Sequence, residues 1–206
     1  MAVSVFADET MLLDGWEFSR GSETNSWEAV RIPHDWAISG PFGKPLIDSV
    51  GKEPIDPCVF CEAGEAYLWF GCRELFMARL TKDMTHIEGE ISKVEIPDYA
   101  EAPFVFKRGE LYYLMYSNGW AKDSTLVYAT SSSPLGPWNY RGEVMPNQGC
   151  STLHGSVVKF NGKWYLFYHD RSLSGNNYRR SAKWREITFA RDGTIQAHEL
   201  TPRVAP

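Results

Sequence analysis

Three ionisable residues stand at matched positions along this 206-residue chain. Asp56 lies eleven residues ahead of Tyr67, Glu101 twelve ahead of Tyr113, and His154 eleven ahead of Tyr165. Each tyrosine sits in a similar aromatic-rich stretch: IDPCVFCEAGEAYLWFG, AEAPFVFKRGELYYLMYS and LHGSVVKFNGKWYLFYH. A repeating fold carries equivalent positions to equivalent places, so two carboxylic acids and an imidazole are expected to meet. Those groups are the material of general acid–base chemistry, in which a positioned side chain moves a proton to or from a reacting atom. Taken singly, an Asp or Glu at a strand opening merely caps a turn. Three such groups at one point perturb one another's pKa, a cost that favours a functional site.

The elements that must position them are hairpins. Each copy reads as an apolar strand, a turn at Gly64, Gly109 or Gly162, and a second strand rich in aromatics. Further strands are expected at Arg73–Leu80 and Ser92–Ile96 after the first hairpin, and at Ser124–Thr130 and Tyr140–Val144 after the second. Four strands in a repeat of about 50 residues is the arithmetic of a β-propeller blade, with a sandwich as the alternative. Tyr, Val and Phe runs punctuated by Gly and Pro lack the 3.6-residue period of a helical solenoid. In a propeller the inner strands line a central axis, where the three heads converge.

Composition sets limits. A net charge of −5, with no cluster of Lys and Arg, argues against nucleic-acid or anionic-membrane partners. No apolar run approaches the roughly 18 residues of a membrane span, and MAVSVFADETMLLDGW lacks the form of an export signal, so the chain as written reads as cytoplasmic. Cys58 and Cys61 form a C-x-x-C pair without the second ligand pair of a zinc site or the βαβ context of a redox motif. Buried structural thiols are the favoured reading. Aromatic content of 14 %, with eight Trp, suits a β-sheet core or a carbohydrate-binding surface.

The motifs IDP, EAPFVFKRGELYYLMYS, SSSPLGPW and HGSVVKFNGKWYLFYH resemble those of glycoside hydrolase family 43, over about residues 54–195. Members of that family are five-bladed β-propellers and inverting enzymes that remove arabinofuranosyl or xylosyl units from plant polysaccharides. The resemblance implies that Glu101 is the general acid and that Asp56 is the carboxylate that orients it and raises its pKa. It places His154 near the axis, where the family often has a calcium ion and its waters; no cofactor is required for the chemistry itself. Arg180 would approach the sugar from the last blade, with the neighbouring Arg179 leaving the register open. Trp120 is a candidate for sugar stacking, with ordinary packing the alternative. Like-charge repulsion from Asp56, and desolvation around Tyr113 and Phe104, are expected to keep Glu101 protonated near neutrality.

Residues 12–42 resemble a different family. Gly-Trp-x-Phe, Trp-x-x-Val and Pro-His-Asp-Trp are similar to the opening of the sugar-binding domain of glycoside hydrolase family 2. His34 and Asp35 read as a sugar contact or, preferably, as a turn. Residues 43–54 read as a linker or seam. The expected organisation is therefore a family 2-like segment at 1–53 and a truncated family 43-like propeller at 54–206, all-β, with about three blades of five.

An inverting hydrolase also needs a base, a carboxylate about 6.5–9.5 Å from the acid. In the family it is an aspartate opening the first blade, and the first copy here corresponds to the third. Asp35 and Asp48 are available, but no motif selects either. An incomplete ring exposes blade edges, so a homo-oligomer is expected. The leading functional reading is hydrolysis of arabinofuranosyl and xylosyl linkages with broad specificity. A non-catalytic carbohydrate-binding remnant is the alternative, and β-galactosidase activity ranks last because no family 2 barrel is present.

Overall fold

A computed structural model of the chain describes residues 16–18, 28–30, 46–47, 49–120 and 123–197. Two units are distinguished by their internal contacts, Met1–Pro45 and Leu46–Pro206. In the first, β1 (Trp16–Phe18) pairs antiparallel with β2 (Glu28–Val30), with Glu17 opposite Ala29. His34 and Asp35 lie outside the described residues, as does Asp48.

The second unit holds three four-stranded antiparallel sheets, each a meander in sequence order. Blade 1 is β3 (Cys58–Glu62), β4 (Glu65–Phe70), β5 (Leu75–Leu80) and β6 (Ile87–Val94). Blade 2 is β7 (Tyr99–Arg108), β8 (Leu111–Asn118), β9 (Thr125–Ser131) and β10 (Asn139–Met145). Blade 3 is β11 (Ser156–Phe160), β12 (Lys163–Asp170), β13 (Ser181–Phe189) and β14 (Ile195–Ala197). This is an all-β, partial β-propeller, and the described residues include no α-helix.

Why these runs become blades is clearest in β8. Its side chains alternate between two apolar clusters: Leu114 and Tyr116 join Tyr67, Trp69 and Leu75 of blade 1, while Tyr113 and Met115 join Leu166 and Ile187 of blade 3. A strand covered on both faces must be apolar at every position, and LYYLMY is. Tyrosine hydroxyls then tie the layers. Tyr99 donates to the carbonyl of Gly71 in blade 1 at 2.8 Å, and Tyr113 donates to that of Gly193 in blade 3, also at 2.8 Å. Gly193 has φ +84°, and a Cβ there would lie 2.9 Å from the Tyr113 hydroxyl and 2.6 Å from Leu111 Cδ1. Only glycine fits that seam without displacing it.

Some expectations shift. β5 begins at Leu75 rather than Arg73, because Arg73 takes a left-handed φ of 66°. β6 runs Ile87–Val94, earlier than Ser92–Ile96; as an exposed edge strand, IEGEISKV carries little apolar signal. The C-x-x-C pair sits in β3, where a three-residue spacing puts the two thiols on opposite faces. Cys61 is exposed and Cys58 half-buried, so the expectation of two buried thiols holds for neither. Within the segment read as a linker or seam, Ile47 and Val50 pack against Leu68 and Phe70 of blade 1, as a seam would.

Candidate functional site

The three heads do come together. Asp56, Glu101 and His154 each present a ligand atom, all within 4.8 Å of one another. Their positions are equivalent in the blades: extrapolated from the strand registers, Asp56 stands opposite Gly71 and His154 opposite His169, as Glu101 pairs with Ser117. Each partner lies four residues past the shared tyrosine.

Glu101 is aimed by irregularity. The β7–β8 register shifts on both sides of it, between Tyr99 and Glu101 and again between Glu101 and Phe104. A bulge bends its strand and re-aims a side chain, and Ala102, just beyond, has φ 59°. The Ala102 backbone also hydrogen-bonds the Asp56 carboxylate, so the bulge fixes both acids at once. Asp56 itself has φ 55°, a conformation Asp and Asn tolerate better than most residues. His154 precedes Gly155, where a Cβ would lie 2.7 Å from Leu126 Cδ2. The missing side chain lets blade 3 approach blade 2 at the axis.

His154 Nε2 donates to Glu101 Oε1 at 2.9 Å and stands 3.8 Å from Asp56 Oδ2. That Asp56 oxygen is buried with no hydrogen-bond partner among the described residues. Arg180 Nη2 donates to the Thr152 hydroxyl at 3.2 Å, and its Nε reaches the Asn177 carbonyl at 3.4 Å. An open cleft of about 380 Å³, lined by His154, Ser156, Phe167, Tyr168, His169, Arg180 and Ala182, adjoins the cluster. Trp120 is partly exposed and carries the Arg73 guanidinium 5.1 Å from its ring centroid. Arg73 N–H in turn donates to the Ala100 carbonyl at 2.7 Å, one residue from Glu101. Trp120 is thus linked to the site through Arg73 rather than by contact with the cluster.

The electrostatics reverse one expectation. Burial pushes Glu101 upward, but hydrogen bonds from His154 and Thr152 and the charges of His154 and Arg180 outweigh it, holding the carboxyl below the ordinary glutamate range. Asp56 moves the other way, raised chiefly by burial and further by Glu101, against the lowering pull of His154 and Arg180. The repulsion expected to raise Glu101 instead raises its neighbour, because Glu101 has the closer cation and the donors. His169 and Thr152 are the site residues that motif reading missed. His169 ends the aromatic strand LFYH, and its place opposite His154 was the available signal. Burial and then the Arg180 charge depress it to about 4.

As a metal centre the cluster offers two carboxylate oxygens and one imidazole nitrogen. Calcium takes six to eight oxygen ligands, waters included, so the calcium that the resemblance implies would meet His154 through water and draw few ligands directly from this cluster.

The model for glycosyl hydrolases family 43 matches residues 28–195, beginning inside the segment read as family 2-like. A xylosidase/arabinosidase 43A of Humicola insolens is 31% identical over 206 residues, an alignment spanning 76% of this chain and 62% of that protein. A xylosidase/arabinosidase of Bacteroides ovatus is 35% identical over 134 residues, spanning 58% of this chain and 41% of the relative. The chain therefore spans only about two to three fifths of these relatives' length. Among solved structures, a GH43 β-xylosidase/α-arabinofuranosidase from a compost microbial metagenome, in complex with xylotriose, is 30% identical with TM-score 0.65, covering 74% of this chain and 59% of that one. An arabinoxylan arabinofuranohydrolase of Bacillus subtilis in complex with cellotetraose is 27% identical with TM-score 0.68, covering 78% of this chain and 41% of its own. With a family model over most of its length and the three heads gathered at the blade ends, the chain belongs to glycosyl hydrolases family 43.

Proposed function

We propose that the protein is a glycoside hydrolase acting on arabinofuranosyl and xylosyl linkages of plant polysaccharides or oligosaccharides, with Glu101 as general acid. The observation that carries this reading is the 2.9 Å contact between His154 Nε2 and Glu101 Oε1, with Asp56 alongside. A glycosidic oxygen leaves readily only when protonated, and Glu101 is the carboxyl best placed by its bulge to deliver that proton. In the free protein it is held ionised. Burial is nonetheless the largest influence on it and acts upward, so a sugar that displaces water from the cleft drives Glu101 toward its protonated form. Arg180, held by Thr152, faces the sugar, and Trp120 with Arg73 flanks its approach.

Asp56 serves Glu101 rather than water. The two acids, within 4.8 Å at their nearest ligand atoms, are too close to leave room for the water that an inverting base activates. Burial, and then the charge of Glu101, also raise the Asp56 carboxyl above the ordinary aspartate range. Calcium enters none of these steps. In the same reading residues 1–53 are a family 2-like accessory segment ahead of the propeller. The chain also self-associates through blade 3: Val158, Phe160 and Trp184 are exposed on one face together with Lys163 and Glu186. A face bearing both charges is self-complementary under a two-fold axis.

Glu101→Ala tests the assignment on phenyl arabinofuranosides and xylosides, whose poor leaving groups need an acid. The expected loss in kcat is on the order of 10²–10⁴. Undiminished release of phenol overturns the assignment, and sugar binding without hydrolysis by the wild type leaves a carbohydrate-binding protein.

A further inference from the structure

We infer that His169 is a positioning residue for the acid machinery, acting through the main chain of His154. The inference rests on the assignment of Glu101 as the acid, and it concerns a residue to which nothing in the motifs gives a role.

The β11–β12 ladder ends at Ser156 opposite Phe167. Two residues further back, the N–H of His154 lies beyond the end of that ladder, still opposite β12. It is taken by a side chain instead: His154 N–H donates to His169 Nε2 at 3.2 Å. An imidazole nitrogen that accepts a hydrogen bond carries no proton, so the ring is neutral and its proton sits on Nδ1. That Nδ1 is buried with no hydrogen-bond partner among the described residues. The surroundings favour the same ring state, first through burial and then through the charge of Arg180. The two imidazoles lie 5.8 Å apart between centroids and tilted, so they do not stack and are linked through the main-chain bond.

The consequence runs along a short chain of bonds. His169 holds the backbone of His154 at the point where the strand no longer does. The direction of that N–H helps set the backbone from which the His154 ring projects, and the ring's Nε2–H in turn meets Glu101. Removing the acceptor frees the His154 backbone to rotate, loosening its grip on Glu101.

The test separates positioning from packing by leaving group. A phenyl glycoside needs the acid, whereas a 2,4-dinitrophenyl glycoside departs without it. His169→Leu is expected to lower kcat on phenyl xyloside roughly ten- to hundredfold with KM little changed, since a misplacement of about 1 Å costs on that order. On the dinitrophenyl substrate the loss is expected to be several-fold smaller, and the ratio of the two losses carries the positioning role. His169→Gln, which returns an acceptor oxygen near the Nε2 position, restores most of the loss. Equal losses on both substrates, or no loss on either, overturn the inference. Glu101→Ala run alongside keeps the two readings apart: if it shows the leaving-group dependence and His169→Leu does not, only the positioning role fails. If Glu101→Ala shows none, the acid assignment fails. The imidazole ¹⁵N spectrum of the unliganded wild type then decides the bond itself, with an Nδ1–H tautomer for His169 expected and an Nε2–H tautomer overturning it.

Discussion

Blade 2 and blade 3 are built from similar sequence and meet different surroundings. Blade 2 is covered on both faces, and every residue of LYYLMY in β8 is buried or nearly so. Blade 3 is covered on one among the described residues. Along β12, Leu166 is fully buried against blade 2, whereas Phe167, its immediate neighbour, points away and is 45% exposed. Phe160 and Trp184 on the same outer face are each 58% exposed. A solvated sheet face ordinarily alternates to polar residues. The outer face of blade 3 is instead written in the apolar language of blade 2, interrupted by the Lys163–Glu186 ion pair. The difference shows that apolar content along a strand records what a face is meant to meet.

That comparison breaks most sharply at two adjacent residues. Leu166→Ala removes a side chain from the cluster shared with Tyr113, Met115 and Ile187, and is expected to cost about 2–5 kcal/mol in urea unfolding. Phe167→Ser, one residue along, should change monomer stability by no more than about 0.5 kcal/mol. Comparable losses at both sites would mean that the outer face is as well packed as the inner one. The seam between the blades gives the next largest effect. Gly193→Ala forces a left-handed backbone onto a residue with a Cβ and drives that carbon against the Tyr113 hydroxyl. About 1–3 kcal/mol is expected, read as a lowered thermal midpoint. An unchanged midpoint would show that the seam yields.

The sequence disclosed the site's members more fully than its electrostatics. Counting back from Tyr67, Tyr113 and Tyr165 found all three heads, and even the one mismatch has a cause: the extra residue before Tyr113 is the bulge between Glu101 and Phe104. Local hairpins were legible because two-residue turns and alternating aromatics are short-range signals. The turn at Asn161–Gly162, with both φ positive, is of that kind. β6 was misplaced because an exposed edge strand has no apolar face to announce it. The direction of the Glu101 shift was misread because burial and Asp56 alone were weighed, whereas the hydrogen bond and charge of His154, and then Thr152 and Arg180 reaching the acid through space, outweigh them. His169 escaped notice for the same reason. Its partner is a backbone N–H, and no motif records which main-chain groups a ladder leaves unpaired.

The smallest expected change in monomer stability accompanies the largest in association. Phe160→Ser with Trp184→Ser removes two aromatic side chains from the open face of blade 3, where Trp184 packs edge-on against Tyr165 at 5.5 Å between centroids. Within one chain these residues are largely solvated, so little is lost on folding. Between two copies each aromatic would leave water, at roughly 25 cal/mol per Å² of apolar surface, and interfaces of this kind need about 800 Å² from each partner. Sedimentation of the wild type at micromolar concentration is expected to give a dimer and the double variant a monomer, with unchanged midpoints in unfolding measured on the dissociated chains. A monomeric wild type would mean that the outer face does not meet a second copy. A dimeric variant would place the contact elsewhere, and blade 3 would then differ from blade 2 only in being left uncovered.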